Sequence, residues 1–155
     1  MYKRIAKSTA LAIAIAAPAE GLRQVAYYDP PGILTVCRGH TGPDVISGKL
    51  YSLSECDSLM DADMHKAVET VDKCVPNLAE PVLAAFSDAV YNMGSTIACN
   101  PSKSTAARYL KSGNIKQACM ELPRWNKAKI AGIAVTLPGL TKRREKERDL
   151  CLEGL

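Results

Sequence analysis

The chain has 155 residues, of which 47% are hydrophobic and 23% are charged, and its formal net charge is +4 at pH 7. This length corresponds to one ordinary domain and leaves no room for a second sizeable core. The composition excludes disordered, collagen-like and coiled-coil proteins. Aromatic residues make up only 5% of the chain, so a nucleic-acid partner held by base stacking is not expected.

The first nineteen residues combine a basic start with an apolar run. Three basic residues among the first seven precede the uncharged run 8–19, which is the order of an export signal. As a helix, those twelve residues reach only about 18 Å, against ~30 Å for the core of a bilayer. Three interpretations stay open: an anchor that contacts the membrane through residues 5–19, a signal cut after Ala19, and a first helix packed on the domain. The first and the last are compatible with each other.

Turn chemistry and periodicity predict a small hairpin and then a long helix. Extended residues on both sides of Pro30-Pro31-Gly32 predict a hairpin between residues 25 and 41. Ser52 and Glu55 have the spacing of a capping box, and the apolar residues after them recur every three or four positions. A helix is therefore expected over residues 53–74.

The remaining elements are predicted to be mainly helical. One helix should have Pro81 in its first turn and end at Gly94, and others are expected at 102–112, 114–122 and 140–152. Residues 123–139 are interpreted as irregular. A small sheet followed by helices makes an α+β domain.

Six cysteines are spread through the chain, at Cys37, Cys56, Cys74, Cys99, Cys119 and Cys151. Structural zinc usually requires close Cys pairs or Cys/His clusters, whereas His40 and His65 stand apart. Disulfides in an oxidising compartment are therefore favoured, with six free buried thiols as the alternative. No metal and no cofactor is predicted.

Two carboxylates have contrasting surroundings in the sequence. Glu20 ends the apolar run, where burial favours the protonated form that a general acid requires. Asp29 adjoins the Pro-Pro-Gly turn, where solvent and backbone donors favour the ionised form. Such a pair is typical of glycoside hydrolysis, and the hydroxyl of Thr35 would help to hold a water molecule. On spacing alone, a solvated helix end and an ordinary turn residue are the commoner interpretations.

Residues 20–42 have the pattern E-G-x-R-x-x-A-Y-x-D-x-x-G-x-x-T-x-C-x-G-H-T-G. This pattern resembles the phage-type lysozymes in both residue types and spacing. The segments Y-N-M-G at 91–94, A-C-x-x-L-x-x-W at 118–125 and L-P-G-L-x-x-R-R-x-x-E at 137–147 are similar to further segments of that family. The Ala-rich N-terminus resembles the signal-anchor-release endolysins of the same family.

The resemblance implies a lysozyme-like α+β fold, with a small N-terminal hairpin and a mainly helical lobe, over residues 20–155. It implies a muramidase that cuts the β-1,4 bond between N-acetylmuramic acid and N-acetylglucosamine of peptidoglycan for host-cell lysis. Glu20 then matches the catalytic acid, Asp29 the second carboxylate and Thr35 the residue that positions water. His40 matches a histidine that we interpret as structural.

The same resemblance implies the disulfides Cys37–Cys56, Cys74–Cys99 and Cys119–Cys151. It also implies a monomer exported to the periplasm or cell wall of a Gram-negative host, with peptidoglycan strands as its partner. Two departures from the family pattern bear on substrate contacts at the hairpin. Leu34 stands where the family often has an aromatic residue, and the second proline of the turn, Pro31, is unusual.

Two alternatives to a hydrolase were weighed. A non-catalytic cell-wall-binding or membrane-active module would have no reason to combine Glu20, Asp29 and Thr35. A lytic transglycosylase needs the acid but no water-activating carboxylate. The basic cluster at 142–148 contains interspersed glutamates, which predict a solvated helix face with i,i+3 and i,i+4 pairs rather than a nucleic-acid site.

Overall fold

A computed structural model describes all 155 residues, which form seven α-helices and two small antiparallel sheets. The helices are α1 (Tyr2–Ala19), α2 (Leu53–Cys74), α3 (Glu80–Met93), α4 (Thr96–Cys99), α5 (Thr105–Lys111), α6 (Ile115–Glu121) and α7 (Pro138–Leu152). The strands are β1 (Arg23–Tyr28), β2 (Leu34–Cys37), β3 (His40–Thr41), β4 (Lys127–Ile130) and β5 (Ile133–Thr136), and a 3-10 turn covers Leu122–Arg124. The predicted α+β class is confirmed.

The first sheet has the strand order β1-β2-β3 and is antiparallel throughout. Tyr28 pairs with Leu34, and the Pro-Pro-Gly turn between them closes with a 2.8 Å hydrogen bond from the Gly32 amide to the Asp29 carbonyl. Gly32 has φ +85°, a conformation in which a residue without Cβ is favoured. The predicted hairpin is confirmed, and its turn fixes the position of Asp29.

The main core surrounds α3, whose residues 82–90 are all buried. Phe86 and Leu83 are fully enclosed, with Met64 of α2 in the same cluster. Burial of each such side chain contributes about 1.5–3 kcal/mol. Helices α1, α2 and α7 all pack on α3, so α3 is the reference against which the site residues are held.

Helix α1 packs on the domain through small side chains. Ala12 and Ala16 are fully buried in the main core. At the other end of the helix, Arg4 donates hydrogen bonds to Asp72 at 2.6 Å and to the Leu78 carbonyl at 3.2 Å. None of the helices combines the length and the apolar character that a membrane span requires.

Three disulfides have the pairing implied by the family resemblance. Cys37–Cys56 joins β2 to α2, Cys74–Cys99 joins α2 to α4, and Cys119–Cys151 joins α6 to α7. No cysteine is free, which excludes the alternative of six buried thiols.

Two helix starts differ from the prediction by two or three residues, and two elements were not predicted, namely α4 and the hairpin at residues 127–136. Residues 127–136 form a hairpin rather than an irregular stretch, with Ala131 in the left-handed region at φ +51° next to Gly132. Alanine rarely adopts this conformation, so the residue type at position 131 does not indicate a turn. Helix α5 begins at Thr105 because the Ser104 hydroxyl accepts from the Ala107 amide and caps it. Helix α7 begins two residues earlier than predicted, with Pro138 in its first turn.

Candidate active site

Glu20 is placed by the end of α1. Its amide donates to the Ala16 carbonyl at 2.9 Å, and its backbone is extended, so the helix stops at this residue. Because Ala16 is buried against the core, the packing of α1 determines where the Glu20 carboxylate lies. The carboxylate is partly exposed, with 23% of the side chain accessible.

Arg143 of α7 holds the Glu20 carboxylate. Its Nη1 donates to Glu20 Oε1 at 2.7 Å, while Nε and Nη2 donate to the two oxygens of Asp88 at 3.0 and 2.7 Å. Asp88 is fully buried on α3. Burial alone would lower the pKa of Arg143, but its hydrogen bonds to Asp88 and Glu20 and their charges raise it above the usual range. Arg143 therefore remains a cation that connects α1, α3 and α7.

The prediction of a solvated face for residues 142–148 was wrong for three of them, whereas Lys142, Glu145 and Lys146 are exposed as expected. Arg143, Arg144 and Glu147 are all buried. Arg144 donates to Glu147 at 2.6 Å and to the Asn92 side chain at 3.0 Å. Burial lowers the pKa of Arg144 and raises that of Glu147. Arg144, Glu147 and Cys151 are three and four residues apart, which is the spacing of a buried helix face. Because two of them are charged, hydrophobic periodicity does not reveal this face.

Glu20 lies where two cavities meet. One cavity of about 660 Å³ is lined by Ile15, Leu137, Leu140, Lys142 and Lys146, among others, and the second of about 360 Å³ is lined by Arg38, Asp63 and Tyr91, among others. Both are also lined by Glu20 and Asn92. We refer to these two adjoining cavities together as the groove; one is apolar and basic, the other is polar, and the Glu20 carboxylate lines both.

The turn between β2 and β3 lies beside Glu20. A Cβ atom added at Gly39 would lie 3.7 Å from Glu20 Oε2, so this turn faces the carboxylate oxygen that Arg143 does not contact. The Tyr91 hydroxyl donates to the Arg38 carbonyl at 2.8 Å and fixes the same turn to α3. Burial raises the pKa of Tyr91, so its hydroxyl keeps its proton.

Asp29 and Thr35 meet at the base of the hairpin turn. Asp29 Oδ1 accepts from the Ile33 amide at 2.8 Å, and its Oδ2 lies 3.4 Å from Thr35 Oγ1. The single hydroxyl proton of Thr35 has a nearer acceptor in the Ile33 carbonyl, at 2.9 Å. Thr35 is only 4% exposed. The structure thus brings Asp29 and Thr35 together, while neither of them lines the two cavities that meet at Glu20.

His40 bridges two carboxylates, of which Asp63 lines the polar cavity. Its Nδ1 lies 2.7 Å from Asp63 of α2, and its Nε2 lies 3.0 Å from both oxygens of Asp44. Burial opposes protonation, but the hydrogen bonds to Asp63 and Asp44 prevail and raise the pKa of His40. With both ring nitrogens facing carboxylates, the residue fits the structural interpretation. No group of three or more histidine, cysteine or carboxylate side chains is arranged to hold a metal ion.

Comparison with known sequences places the chain in a family. The model of the phage lysozyme family matches residues 17–147. The SAR-endolysin of Bacteriophage PS119 is 40% identical over 136 residues, which cover 87% of this chain and 77% of that protein. The SAR-endolysin of Escherichia phage Mu is 34% identical over 129 residues, which cover 83% and 71%.

Solved structures agree in fold. The endolysin of Escherichia coli phage FAHEc1 has a TM-score of 0.79 at 28% identity and covers 94% of this chain and 92% of its own. The muramidase domain of SpmX from Asticaccaulis excentricus has a TM-score of 0.79 at 26% identity, with coverage of 91% and 94%. The fold is that of a lysozyme-type glycosidase. The chain belongs to the phage lysozyme family, and the family resemblance of its sequence is confirmed.

The raised pKa of His40 predicts a pH-dependent contribution to stability. When folding raises the pKa of a group, the protonated group stabilises the folded state. For histidine this contribution is fully present below the unfolded pKa of about 6.5, and it is lost as the pH rises through the pKa of the folded state. Asp44 stays ionised throughout, because its hydrogen bond to His40 lowers its pKa. The substitution His40→Asn should therefore lower the free energy of unfolding by about 2 kcal/mol near pH 5.5 and by clearly less near pH 9.

Urea unfolding at the two pH values measures this difference. His65→Asn is the matched control, because His65 is 43% exposed and contacts only Glu69, at 3.4 Å. The control should show little effect at either pH. An equal loss for His40→Asn at both pH values would contradict a charged His40 in the folded state.

Proposed function

We propose that this protein is a phage endolysin that hydrolyses the β-1,4 bond between N-acetylmuramic acid and N-acetylglucosamine of peptidoglycan. The observation that carries the proposal is the Glu20 carboxylate, held by buried Arg143 where two cavities form one groove. The names of the relatives, SAR-endolysin and muramidase domain, support the same substrate. A monomer in the periplasm of a Gram-negative host is part of the proposal.

Glu20 acts as the general acid in this reaction. Arg143 occupies Oε1, so Oε2 is the oxygen that carries the proton and donates it to the departing glycosidic oxygen. Because Arg143 shares its charge with Asp88, Glu20 faces a cation that is already partly neutralised. A sugar chain that fills the groove excludes water from the carboxyl group. General acid catalysis of this kind contributes ~10²–10⁴-fold.

Asp29 acts as the second carboxylate and Thr35 positions the water. Oδ1 of Asp29 is fixed by the Ile33 amide, which leaves Oδ2 as a proton acceptor. Since the Thr35 proton points to the Ile33 carbonyl, the Thr35 oxygen has a lone pair for a water proton. A water molecule that donates one hydrogen bond to Thr35 Oγ1 and one to Asp29 Oδ2 would give the second proton to Asp29 as it attacks the anomeric carbon, and inversion is the expected outcome.

We further infer that residues 1–19 serve as an export and anchor segment before they become α1. The name SAR-endolysin carried by several relatives supports this inference. So does the position of Glu20, directly after Ala19. While residues 8–19 lie in lipid, Glu20 is kept at the membrane surface and apart from Arg143. Release lets the Ala face of the helix pack on α3, and the site assembles.

Replacement of Glu20 by Gln should abolish lysis without loss of the fold. Gln keeps the size and a hydrogen-bond acceptor for Arg143 but has no proton to donate, so activity should fall by about 100-fold or more. Turbidity loss of permeabilised Gram-negative cells measures the activity, and thermal unfolding checks the fold. Glu145→Gln, an exposed carboxylate on α7, is the matched control and should remain active.

Two results would count against the assignment. Activity of Glu20→Gln within about tenfold of the wild type is too high for a missing general acid. Anhydro ends in the sugar products, detected by mass spectrometry, would mark a lytic transglycosylase and remove the role of Asp29.

The N-terminal proposal predicts that the exported protein keeps residues 1–19. Cleavage after Ala19 would remove α1 and leave an ammonium group on Glu20, so the cut chain should be inactive. N-terminal sequencing and membrane fractionation, with a soluble periplasmic protein and an integral membrane protein as markers, test this. The intact chain should divide between the membrane and the periplasm. A fully active chain that begins at Glu20, or an intact chain that never sediments with membranes, would refute the proposal.

A further inference from the structure

The β4–β5 hairpin stands apart from the rest of the molecule. Its strands pair with each other in register from Lys127 and Thr136 to Ile130 and Ile133. None of its apolar side chains belongs to either hydrophobic cluster, and no other helix or strand packs extensively on it. The apolar and basic residues of the hairpin are therefore not explained by a role in the groove, in a disulfide or in the core.

The hairpin is amphipathic, and its tip is apolar. Residues directly opposite each other in an antiparallel pair share one face. Ile130 and Ile133 form the last pair before the turn, and the next pair on the same face is Ala128 with Val135. The two isoleucines are 53% and 68% exposed. Among the apolar pairs that lie at the tip of a hairpin in this protein, this pair is the most exposed.

Four exposed lysines lie on the hairpin or on the helix that follows it, and none of them has an acidic partner. Lys127 and Lys129 lie on the opposite face of the hairpin, and both are exposed. Lys142 and Lys146, which line the groove together with Leu137 just after β5, are exposed as well. None of the four forms an ion pair, although twelve such pairs occur elsewhere in the protein. These four lysines therefore carry positive charge that no carboxylate of the protein pairs.

We propose that the β4–β5 hairpin is a membrane-contact element that inserts its tip into the surface of an anionic phospholipid bilayer. Strands rise about 3.3 Å per residue, so Lys129 lies ~3 Å and Lys127 ~10 Å behind Ile130. Interfacial elements bury their apolar side ~5–10 Å into the headgroup region. With Ile130 and Ile133 at that depth, both lysines reach the level of the lipid phosphates.

The chemistry of the hairpin favours lipid over other occupants. A glycan strand or an acidic wall polymer would satisfy the lysines but offers no apolar phase for the paired isoleucines. A second copy of the chain would bring lysines together on an already basic region. Only an anionic bilayer presents negative charge directly above an apolar layer. This inference does not depend on the catalytic roles of Glu20 and Asp29.

The full-length, oxidised protein should sediment with vesicles of phosphatidylethanolamine containing about one third phosphatidylglycerol. Ile130→Ser/Ile133→Ser should weaken this binding about tenfold or more, since two apolar side chains no longer enter the bilayer. Lys127→Gln/Lys129→Gln should weaken binding to the anionic vesicles but not to vesicles of phosphatidylcholine alone. Residues 1–19 are identical in all variants, so the differences report on the hairpin.

Matched controls carry the same chemical changes elsewhere. Ile46→Ser/Leu155→Ser removes two apolar residues that are 55% and 65% exposed, and Lys103→Gln/Lys111→Gln removes two exposed lysines. Neither control should change vesicle binding. Ile133→Trp should strengthen it, because tryptophan favours the interface, and this gain cannot result from local unfolding of the hairpin.

Three outcomes would overturn the proposal. Vesicle binding by Ile130→Ser/Ile133→Ser equal to that of the wild type would exclude insertion of the tip. Loss of binding to purified peptidoglycan, with vesicle binding unchanged, would assign the hairpin to the wall polymer. Dissociation of a dimer by the same variant in sedimentation equilibrium would assign it to a second copy of the chain.

Discussion

The buried guanidinium of Arg143 is the interaction on which the site depends. It is enclosed by Asp88 of α3 and Glu20 at the end of α1, and both carboxylates contribute to balancing its buried charge. Glu20 is therefore both a site residue and part of the charge balance of the core. The docking of α1 and the formation of the groove are therefore coupled. When α1 packs on the domain, it brings the Glu20 carboxylate both to Arg143 and into the lining of the groove.

Because the buried residues of α1 are small, its docking on the domain is more easily reversed than that of a core helix with large apolar side chains. Ala12 and Ala16 let the helix approach α3 closely, but each buries little apolar surface and so contributes little to hold it there. The polar contacts of Arg4 with Asp72 and of Ser8 with the Glu80 carbonyl supply further attachment. A segment with this composition is weakly apolar in lipid and weakly bound in the fold, which suits the proposed passage between the two.

Sequence reasoning succeeded where a local signal sets the structure. Helix α2 begins and ends where its capping box and apolar spacing predict, and the family resemblance gave all three disulfides. It failed at Arg143, Arg144 and Glu147, because charged residues are normally exposed and only the assembled fold shows the partners that permit their burial. It also failed at the second hairpin, because the turn there places Ala131 in the left-handed region, which alanine rarely adopts. The proposed roles of Glu20, Asp29 and Thr35 rest on the resemblance, whereas the contact between Glu20 and Arg143 is known only from the structure.

The most direct test of the central claim is to displace α1 without touching a charged residue. Ala16→Leu adds bulk at a fully buried position, whereas Ala14→Leu adds the same bulk at an exposed position of the same helix. Lytic activity of the two purified variants on permeabilised cells, with cooperative unfolding verified for both, is the measurement. The account predicts that Ala16→Leu loses most of its activity while Ala14→Leu retains it, because only the first moves Glu20 away from Arg143. Equal activity of the two variants would contradict the dependence of the site on the docking of α1.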